Sequence, residues 1–149
     1  MLKSFATLID VAQRKTDSAA IKVGQINARL SESDQKFGVL VNYRNEYRAR
    51  LETAVVRGAP VAEVRNFRAF LDKLDEAVRQ QESEVGFWRE QIDSARGQWQ
   101  GEQRSLSSFN TISERRDALE SRAAGRREQK QQDEFAARAV SGQRFAFGE

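Results

Sequence analysis

The 149-residue sequence contains no cysteine and no histidine. Disulfide bonds, thiolate or imidazole metal ligands, and catalysis by either residue are therefore excluded. No apolar run approaches the roughly 20 residues that a membrane-spanning helix needs. The first eight residues also lack the apolar core of a secretory signal. We therefore expect a soluble, cytoplasmic protein.

Proline is almost absent as well, since Pro60 is the single one in the chain. Charged residues make up 32% of the sequence, and the mean hydropathy is −0.72. This composition favours long solvated helices over a compact multilayer fold. The net charge of +3 is spread unevenly, with ten basic and six acidic residues in 1–60 and seven and nine in 61–112. The basic excess is too small to indicate a nucleic-acid-binding protein.

Apolar residues recur at alternating steps of three and four in two runs, one on each side of Gly58-Ala59-Pro60. The first run comprises Leu2, Phe5, Ile9, Ala12, Ala19, Val23, Ile26, Leu30, Phe37, Leu40, Tyr47, Leu51 and Ala54, with Thr16, Ser33 and Arg44 as polar interruptions. The second comprises Val64, Phe67, Leu71, Leu74, Val78, Val85, Trp88, Ile92, Ala95, Trp99, Leu106 and Phe109, interrupted by Gln81 and Glu102. A spacing that averages about 3.5 residues is typical of the a and d positions of a coiled coil.

The two runs match each other when the chain is folded back at residue 59. Facing a and d residues then have numbers that sum to 118, so that Ala19 faces Trp99 and Val23 faces Ala95. Ile26 likewise faces Ile92, Leu30 faces Trp88, Ile9 faces Phe109 and Ala12 faces Leu106, while Thr16 faces Glu102. A small residue, Ala19, therefore opposes Trp99. We predict an all-α fold, an antiparallel two-helix coiled-coil hairpin in which the second helix overhangs the first.

The predicted boundaries make residues 1–149 a single coiled-coil domain. Helix 1 should span about residues 3–57, a turn residues 58–60, and helix 2 about residues 60–140. Gly58 suits the left-handed residue that follows a helix, and Pro60 suits the start of the next one. The charge-dense segment from Asp117 to about Val140 should project beyond its partner, and residues 141–149 should be disordered.

Two features bear on function. The residues offer no catalytic constellation, phosphate-binding loop or concave pocket, so we expect a protein that is not an enzyme and needs no cofactor or metal. Near the turn, Tyr43 occupies a g position in a line otherwise filled by cations, namely Lys15, Lys22, Arg29 and Lys36. The g residues Phe70 and Ala77 of helix 2 should lie beside it. This apolar flank is either a widened seam or a protein-docking surface. Arg44, at an a position, should extend outward to solvent.

Three segments resemble the FliJ family, the small coiled-coil components of the flagellar type III export apparatus. Residues 43–48 read YRNEYR and resemble the family's YxNEYR segment. Residues 6–12 with Ala19 and Ala20 resemble its N-terminal ATLxDxA…AA pattern, and residues 129–139 resemble its QKxxDEFAxRA ending. The three segments occur in the family's order over essentially the whole chain.

The resemblance implies a cytoplasmic antiparallel rod, monomeric when free and recruited to the inner-membrane export apparatus by partners. These partners would be the hexameric export ATPase (FliI-like), the cytoplasmic domain of the export gate (FlhA-like) and export chaperones, with no nucleic acid. The implied gate-binding residues are Leu40, Tyr43, Tyr47, Phe70, Leu74, Ala77 and, at the edge, Gln81. The implied ATPase-binding residues are Thr7, Leu8, Asp133, Glu134, Phe135 and Arg138. Two alternatives stay open, the analogous stalk of a virulence injectisome and a purely structural, self-associating coiled coil.

Overall fold

The computed structural model describes the backbone of residues 2–146 and the side chains of residues 4–142. Two helices account for it, α1 (Leu2–Val56) and α2 (Val61–Ala146), and the described residues contain no strand. The predicted all-α helical hairpin is confirmed. Contacts divide the chain into two compact units, residues 13–103 and the two segments 1–12 and 104–149. The prediction of one coiled-coil domain over residues 1–149 stays a prediction.

The core of the 13–103 unit lies at three consecutive levels of the predicted seam. Ile26, Ile92 and Ala95 form a buried cluster, and three half-buried side chains pack against it, namely Val23, Leu30 and Trp88. These six residues make up three of the predicted facing pairs whose numbers sum to 118. The seam therefore has the register that the heptad pattern predicts, and burial of these apolar groups contributes to holding the helices together.

A polar pair replaces apolar packing one level closer to the turn. Ser33 is buried at a d position of α1, and Gln81 takes a d position of α2. The Gln81 side-chain amide donates to the Ser33 carbonyl at 2.9 Å and to its hydroxyl oxygen at 3.0 Å. The buried serine thus has a partner, which removes most of the cost of placing polar atoms in the seam.

The turn is a Schellman motif. Gly58 has φ of 74°, the left-handed conformation that the sequence predicts at this residue. Its N–H donates to the Val55 carbonyl at 3.1 Å, and the Ala59 N–H donates to the Ala54 carbonyl at 3.0 Å. The Pro60 carbonyl then accepts the first bond of α2 from the Val64 N–H. Pro60 is therefore the N-cap, and its missing donor leaves no orphan group.

The C-terminal segment differs from its prediction. Helix α2 continues to Ala146, whereas the sequence predicted a helix end near residue 140 and disorder from residue 141. Residues 141–146 contain no proline, and Gly142 costs only about 1 kcal/mol relative to alanine in a helix interior. That cost alone does not impose a helix end. The predicted disorder of residues 147–149 lies outside the described residues.

The second unit contains the start of α1 and the end of α2. Ala12 is buried, and the Arg116 guanidinium lies 5.5 Å from the centroid of the Phe5 ring. Beyond this level α2 has no facing helix, because it is 86 residues long and α1 only 55. Every described side chain from Asp117 to Gly142 is exposed except that of Ala123, which is half-buried. We call residues 117–142 the overhang.

The seam cluster predicts a large effect of truncating Ile92, which is 3% exposed. Ile92→Ala should lower the free energy of unfolding by about 2–5 kcal/mol, because it removes buried methyl groups and leaves a cavity. Urea denaturation measures this. Ile21→Ala is the matched control, since Ile21 lies in the same unit but is 62% exposed. It should cost less than about 1 kcal/mol. Equal losses in both variants would contradict the assigned seam.

The turn predicts opposite effects of two glycine substitutions. Gly58→Ala should destabilise the hairpin by about 1–2 kcal/mol, because an L residue with a side chain is strained at positive φ. Gly24→Ala should stabilise it by up to about 1 kcal/mol, because alanine favours the helix interior. A Cβ at Gly24 would meet no atom within 4 Å. Thermal unfolding of both variants checks the signs, and a Gly58→Ala protein as stable as the original would argue against the Schellman turn.

Candidate docking surfaces

An aromatic cluster lies near the turn, on the flank where the g positions of α1 and α2 meet. Four rings form it, namely Tyr43, Tyr47, Phe67 and Phe70. The closest pair is Tyr47 and Phe70, with centroids 4.5 Å apart, and Tyr43 lies 5.2 Å from Tyr47 and 6.2 Å from Phe70. Tyr47 also lies 6.0 Å from Phe67. Heptad spacing produces this arrangement, since Tyr43 and Phe70 take g positions beside the d residues Tyr47 and Phe67.

The cluster is only partly covered by its own helices. Tyr43 is 41% exposed and Phe70 is 37% exposed, so both rings present an edge or face to solvent. Tyr47 is half-buried between them. Leu74 is only 7% exposed and therefore offers a partner almost no contact area. Exposed aromatic rings held on rigid helices are the usual anchors of protein interfaces.

The remaining predicted gate-binding residues border the cluster on the turn-distal side. Leu40, Ala77 and Gln81 are each half-buried. Leu40 and Gln81 line a shallow groove together with Val39, which is exposed. Because the Gln81 amide nitrogen already donates to Ser33, this residue links the surface to the seam. The structure thus brings all seven predicted residues into one region of the 13–103 unit.

Two residues of this region are not among the binding residues predicted from the sequence. Phe67 belongs to the ring cluster, and the Arg50 guanidinium lies 5.3 Å from the centroid of the Tyr47 ring, a cation–π arrangement. Both residues were predictable from the heptads, because Phe67 is the d residue before Phe70 and Arg50 is the g residue after Tyr43. Phe67 was assigned to the seam alone, although its ring also lies beside that of Tyr47.

The hydroxyl of Tyr43 interacts with that of Tyr47. Its pKa is raised above the ordinary value of 10.0, chiefly by hydrogen bonding to Tyr47, with repulsion from a Tyr47 phenolate, desolvation and Glu46 adding to the effect, while Arg50 opposes it. At neutral pH Tyr43, like any tyrosine of ordinary or raised pKa, offers a neutral O–H that can donate to a partner group beside an apolar ring. A docking surface with one polar handle of this kind gains orientation as well as contact area.

The opposite flank, where the e positions of the two helices meet, is closed by ion pairs. The Asp75 carboxylate lies 3.8 Å from the Arg44 Nε and 3.6 Å from a guanidinium nitrogen of Arg48, so it forms an ion pair with each. Arg44 differs from its prediction, because its Nε is buried and turned toward Asp75 instead of extending to solvent. The carboxylate of Asp75, at an e position of α2, attracts the guanidinium and so holds it at the edge of the seam.

The predicted ATPase-binding residues fall into two separate groups in the unit made of residues 1–12 and 104–149. Thr7 and Leu8 are exposed on the first turns of α1, near the level where Phe5 meets Arg116. Asp133, Glu134, Phe135 and Arg138 are exposed on the overhang and begin about 25 Å further along α2. Phe135 is 75% exposed. The six residues therefore do not form one continuous patch.

Within the part of the chain that the structure describes, no group of three or more acidic, cysteine or histidine side chains is placed to hold a metal ion. No described helix is both long and apolar enough to cross a bilayer. What the geometry offers is contact area, in the form of an aromatic cluster on one flank and a bare, charge-dense helix.

Comparison with known proteins agrees with this picture. The chain matches the family model described as Flagellar FliJ protein over residues 1–145. It is 30% identical over 134 residues to the Flagellar FliJ protein of Salmonella typhi, an alignment that covers 90% of this chain and 91% of the relative. It is 29% identical over 137 residues to the Flagellar FliJ protein of Escherichia coli (strain K12), covering 92% and 93%. This chain, a two-helix hairpin that matches the family model over residues 1–145, therefore belongs to the flagellar FliJ protein family.

Proposed function

We propose that the protein is a cytoplasmic component of the flagellar type III export apparatus that works by binding and not by catalysis. In this role it binds and promotes the export ATPase ring, contacts the cytoplasmic domain of the export gate and escorts export chaperones. Membership of the flagellar FliJ family carries the proposal. The aromatic cluster and the overhang supply two separate surfaces for binding, one for the export gate and one for the export ATPase.

The aromatic cluster is the proposed gate-binding surface. Tyr43 and Phe70 are exposed, and both rings contact the half-buried ring of Tyr47. Holding the rings in place before binding lowers the entropy that a partner must overcome. Leu40, Ala77 and Gln81 border the rings and supply the less exposed edge of the same surface.

The overhang is the proposed ATPase-binding segment. Its described side chains are almost all exposed, and it carries five cations and five carboxylates. An isolated helix of this composition is marginal in water, so contacts with a surrounding protein would stabilise it. Exposed ion pairs are individually weak, which suits a helix that must be held in a polar ring without being locked there.

A mechanical coupling follows from the two assignments. A stiff helical protein bound by an ATPase ring through one segment and by a membrane gate through another can transmit the state of the ring to the gate. Its own residues supply contacts and stiffness, and the chemistry of nucleotide hydrolysis remains with the ATPase. Differential binding of the two ring states is what such transmission requires.

The structure and the relatives also bear on the alternatives. A self-associating coiled coil would use its seam between chains, but here the seam cluster of Ile26, Ile92 and Ala95 is satisfied within one chain. An injectisome stalk would share the architecture, but both relatives are named as flagellar proteins. These observations favour the flagellar export role.

The gate assignment predicts that Phe70→Ala weakens binding to the isolated export-gate domain by at least about tenfold, since an anchor ring contributes on the order of 1–2 kcal/mol or more. Tyr43→Ala should have a similar effect, and both variants should reduce motility. Isothermal titration calorimetry measures the binding. Circular dichroism should show an intact helical fold, because neither ring lies in the seam core.

Phe87→Ala is the matched control for Phe70→Ala. Phe87 is also exposed and also packs edge-on against a neighbouring ring, that of Trp88, but it lies away from the cluster. It should leave gate binding within about twofold of the original. Equal losses in the two phenylalanine variants, or normal binding in Phe70→Ala, would refute the assignment of the gate surface.

The ATPase assignment predicts that Phe135→Ala reduces stimulation of the export ATPase and weakens binding by about tenfold. The ring is 75% exposed in the free protein, so its loss should not destabilise the hairpin. Steady-state ATP hydrolysis with increasing amounts of each variant measures the effect. Ile112→Ala, at an exposed position of α2 before the overhang begins, is the control and should stimulate normally. Full stimulation by Phe135→Ala would exclude this residue from the ATPase contact.

A further inference from the structure

The flank that carries the aromatic cluster also carries a line of cations. The g positions of α1 between residues 13 and 57, apart from Tyr43, are all basic, namely Lys15, Lys22, Arg29, Lys36, Arg50 and Arg57. The facing g positions of α2 contribute only two carboxylates, Glu63 and Glu84. The flank as a whole is therefore strongly positive, although the complete chain carries a net charge of only +3.

These cations are mostly uncompensated by the protein itself. Lys36 lies 3.9 Å from Glu32 on its own helix, and both side chains are exposed. The other five have no carboxylate within 4.0 Å among the residues that the structure describes. The e flank is different, because there Arg44 and Arg48 share Asp75. One flank of the hairpin is closed by ion pairs, and the other is left open.

The open flank is also grooved. Three depressions follow one another along it, lined in turn by Val39 and Leu40, by Tyr47 and Phe70, and by Ala54 and Arg57. From Glu32 to Arg57 the grooved stretch measures about 38 Å along α1. Its middle is aromatic, and its lining contains three cations, Lys36, Arg50 and Arg57, and two carboxylates, Glu32 and Glu63. A third helix lying in the angle between two coiled-coil helices meets a surface of this form.

We propose that this g flank binds an acidic amphipathic α-helix of a partner protein, laid along the hairpin as a third strand of the coiled coil. The partner helix, about 25 residues long to match the groove, places its apolar stripe on Tyr43, Tyr47 and Phe70. Its aspartates or glutamates face Arg29 and Lys36 on one side of the rings and Arg50 and Arg57 on the other. This inference rests on the proposed docking role of the aromatic cluster and adds the chemistry of what docks there.

The spacing of the charges favours a helix over other polyanions. The cations recur every seven residues, which is the repeat of a helix packed alongside in a coiled coil. A nucleic-acid duplex would need cations without an apolar interruption, because it presents no apolar stripe that could cover Tyr43 and Phe70. A lipid surface has no seven-residue repeat to match that of the cations. Complementary charge mainly fixes which partner docks and in which register, while the rings supply most of the contact energy.

The test uses the full-length protein and a designed helical peptide of about 25 residues, with leucine at a and d and glutamate at e and g. Mutual repulsion of the glutamates keeps the peptide from pairing with itself. Fluorescence anisotropy of the labelled peptide measures its dissociation constant. Arg29→Glu combined with Arg57→Glu should weaken binding at least about tenfold, because two attractions become repulsions. Neither arginine belongs to an ion pair among the described residues.

Arg65→Glu combined with Arg68→Glu is the matched control. It makes the same charge change on exposed b and e positions of α2, away from the g flank, and should leave peptide binding unchanged. A peptide with lysine in place of glutamate should not bind the original protein. Circular dichroism of both double variants establishes that the helices are intact.

Three results would overturn the inference, namely no saturable binding of the acidic peptide, equal losses in the two double variants, or tighter binding of duplex DNA or phosphatidylserine vesicles than of the peptide. The proposed gate role is judged separately. Gate-domain binding that survives Phe70→Ala would refute that role while a positive peptide result stands. A negative peptide result beside normal gate binding would refute only the acidic-helix inference.

Discussion

The a/d seam of the 13–103 unit is the constraint on which the rest of this structure depends. Ile26, Ile92 and Ala95 are buried against one another, and Val23, Leu30 and Trp88 pack against them. A shift of one heptad would place Ile26 opposite Trp99 or Val85 instead of Ile92, so the facing side chains would have to repack. Register in turn fixes which g residue meets which. The encounter of Tyr43 with Phe70 is therefore a consequence of packing elsewhere in the seam.

Polar residues in the seam give the two flanks their different characters. Arg44 at an a position is drawn to Asp75 and covers the e flank. Ser33 and Gln81 pair across the seam and tie its core to the groove beside Leu40. Buried polar groups of this kind contribute little net stability, yet they penalise alternative registers in which they lose their partners. The open g flank is thus kept in place partly by the polar contacts beside it.

Periodicity was enough to predict the helices, the turn and the facing pairs, because a coiled coil repeats one local rule along its length. It could not predict where Arg44 points, since that depends on Asp75, a residue that is distant in sequence. Nor could it end α2, because the segment after Val140 has neither a strong stop signal nor a packing partner. Three rings of the cluster, Tyr43, Tyr47 and Phe70, were predicted from their heptad positions. The fourth, Phe67, was assigned to the seam alone.

A hairpin of this construction separates stability from binding more sharply than a globular fold does. The energy of folding comes from a narrow stripe of side chains, and the rings and cations on the g flank are largely outside it. Surface residues can therefore change without loss of the fold, and the fold gives them fixed spacing along a rigid axis. A docking surface whose contacts recur every seven residues depends on this fixed spacing more than on a deep pocket. A partner with the same repeat, and charge of the opposite sign, is the ligand that such a surface discriminates best.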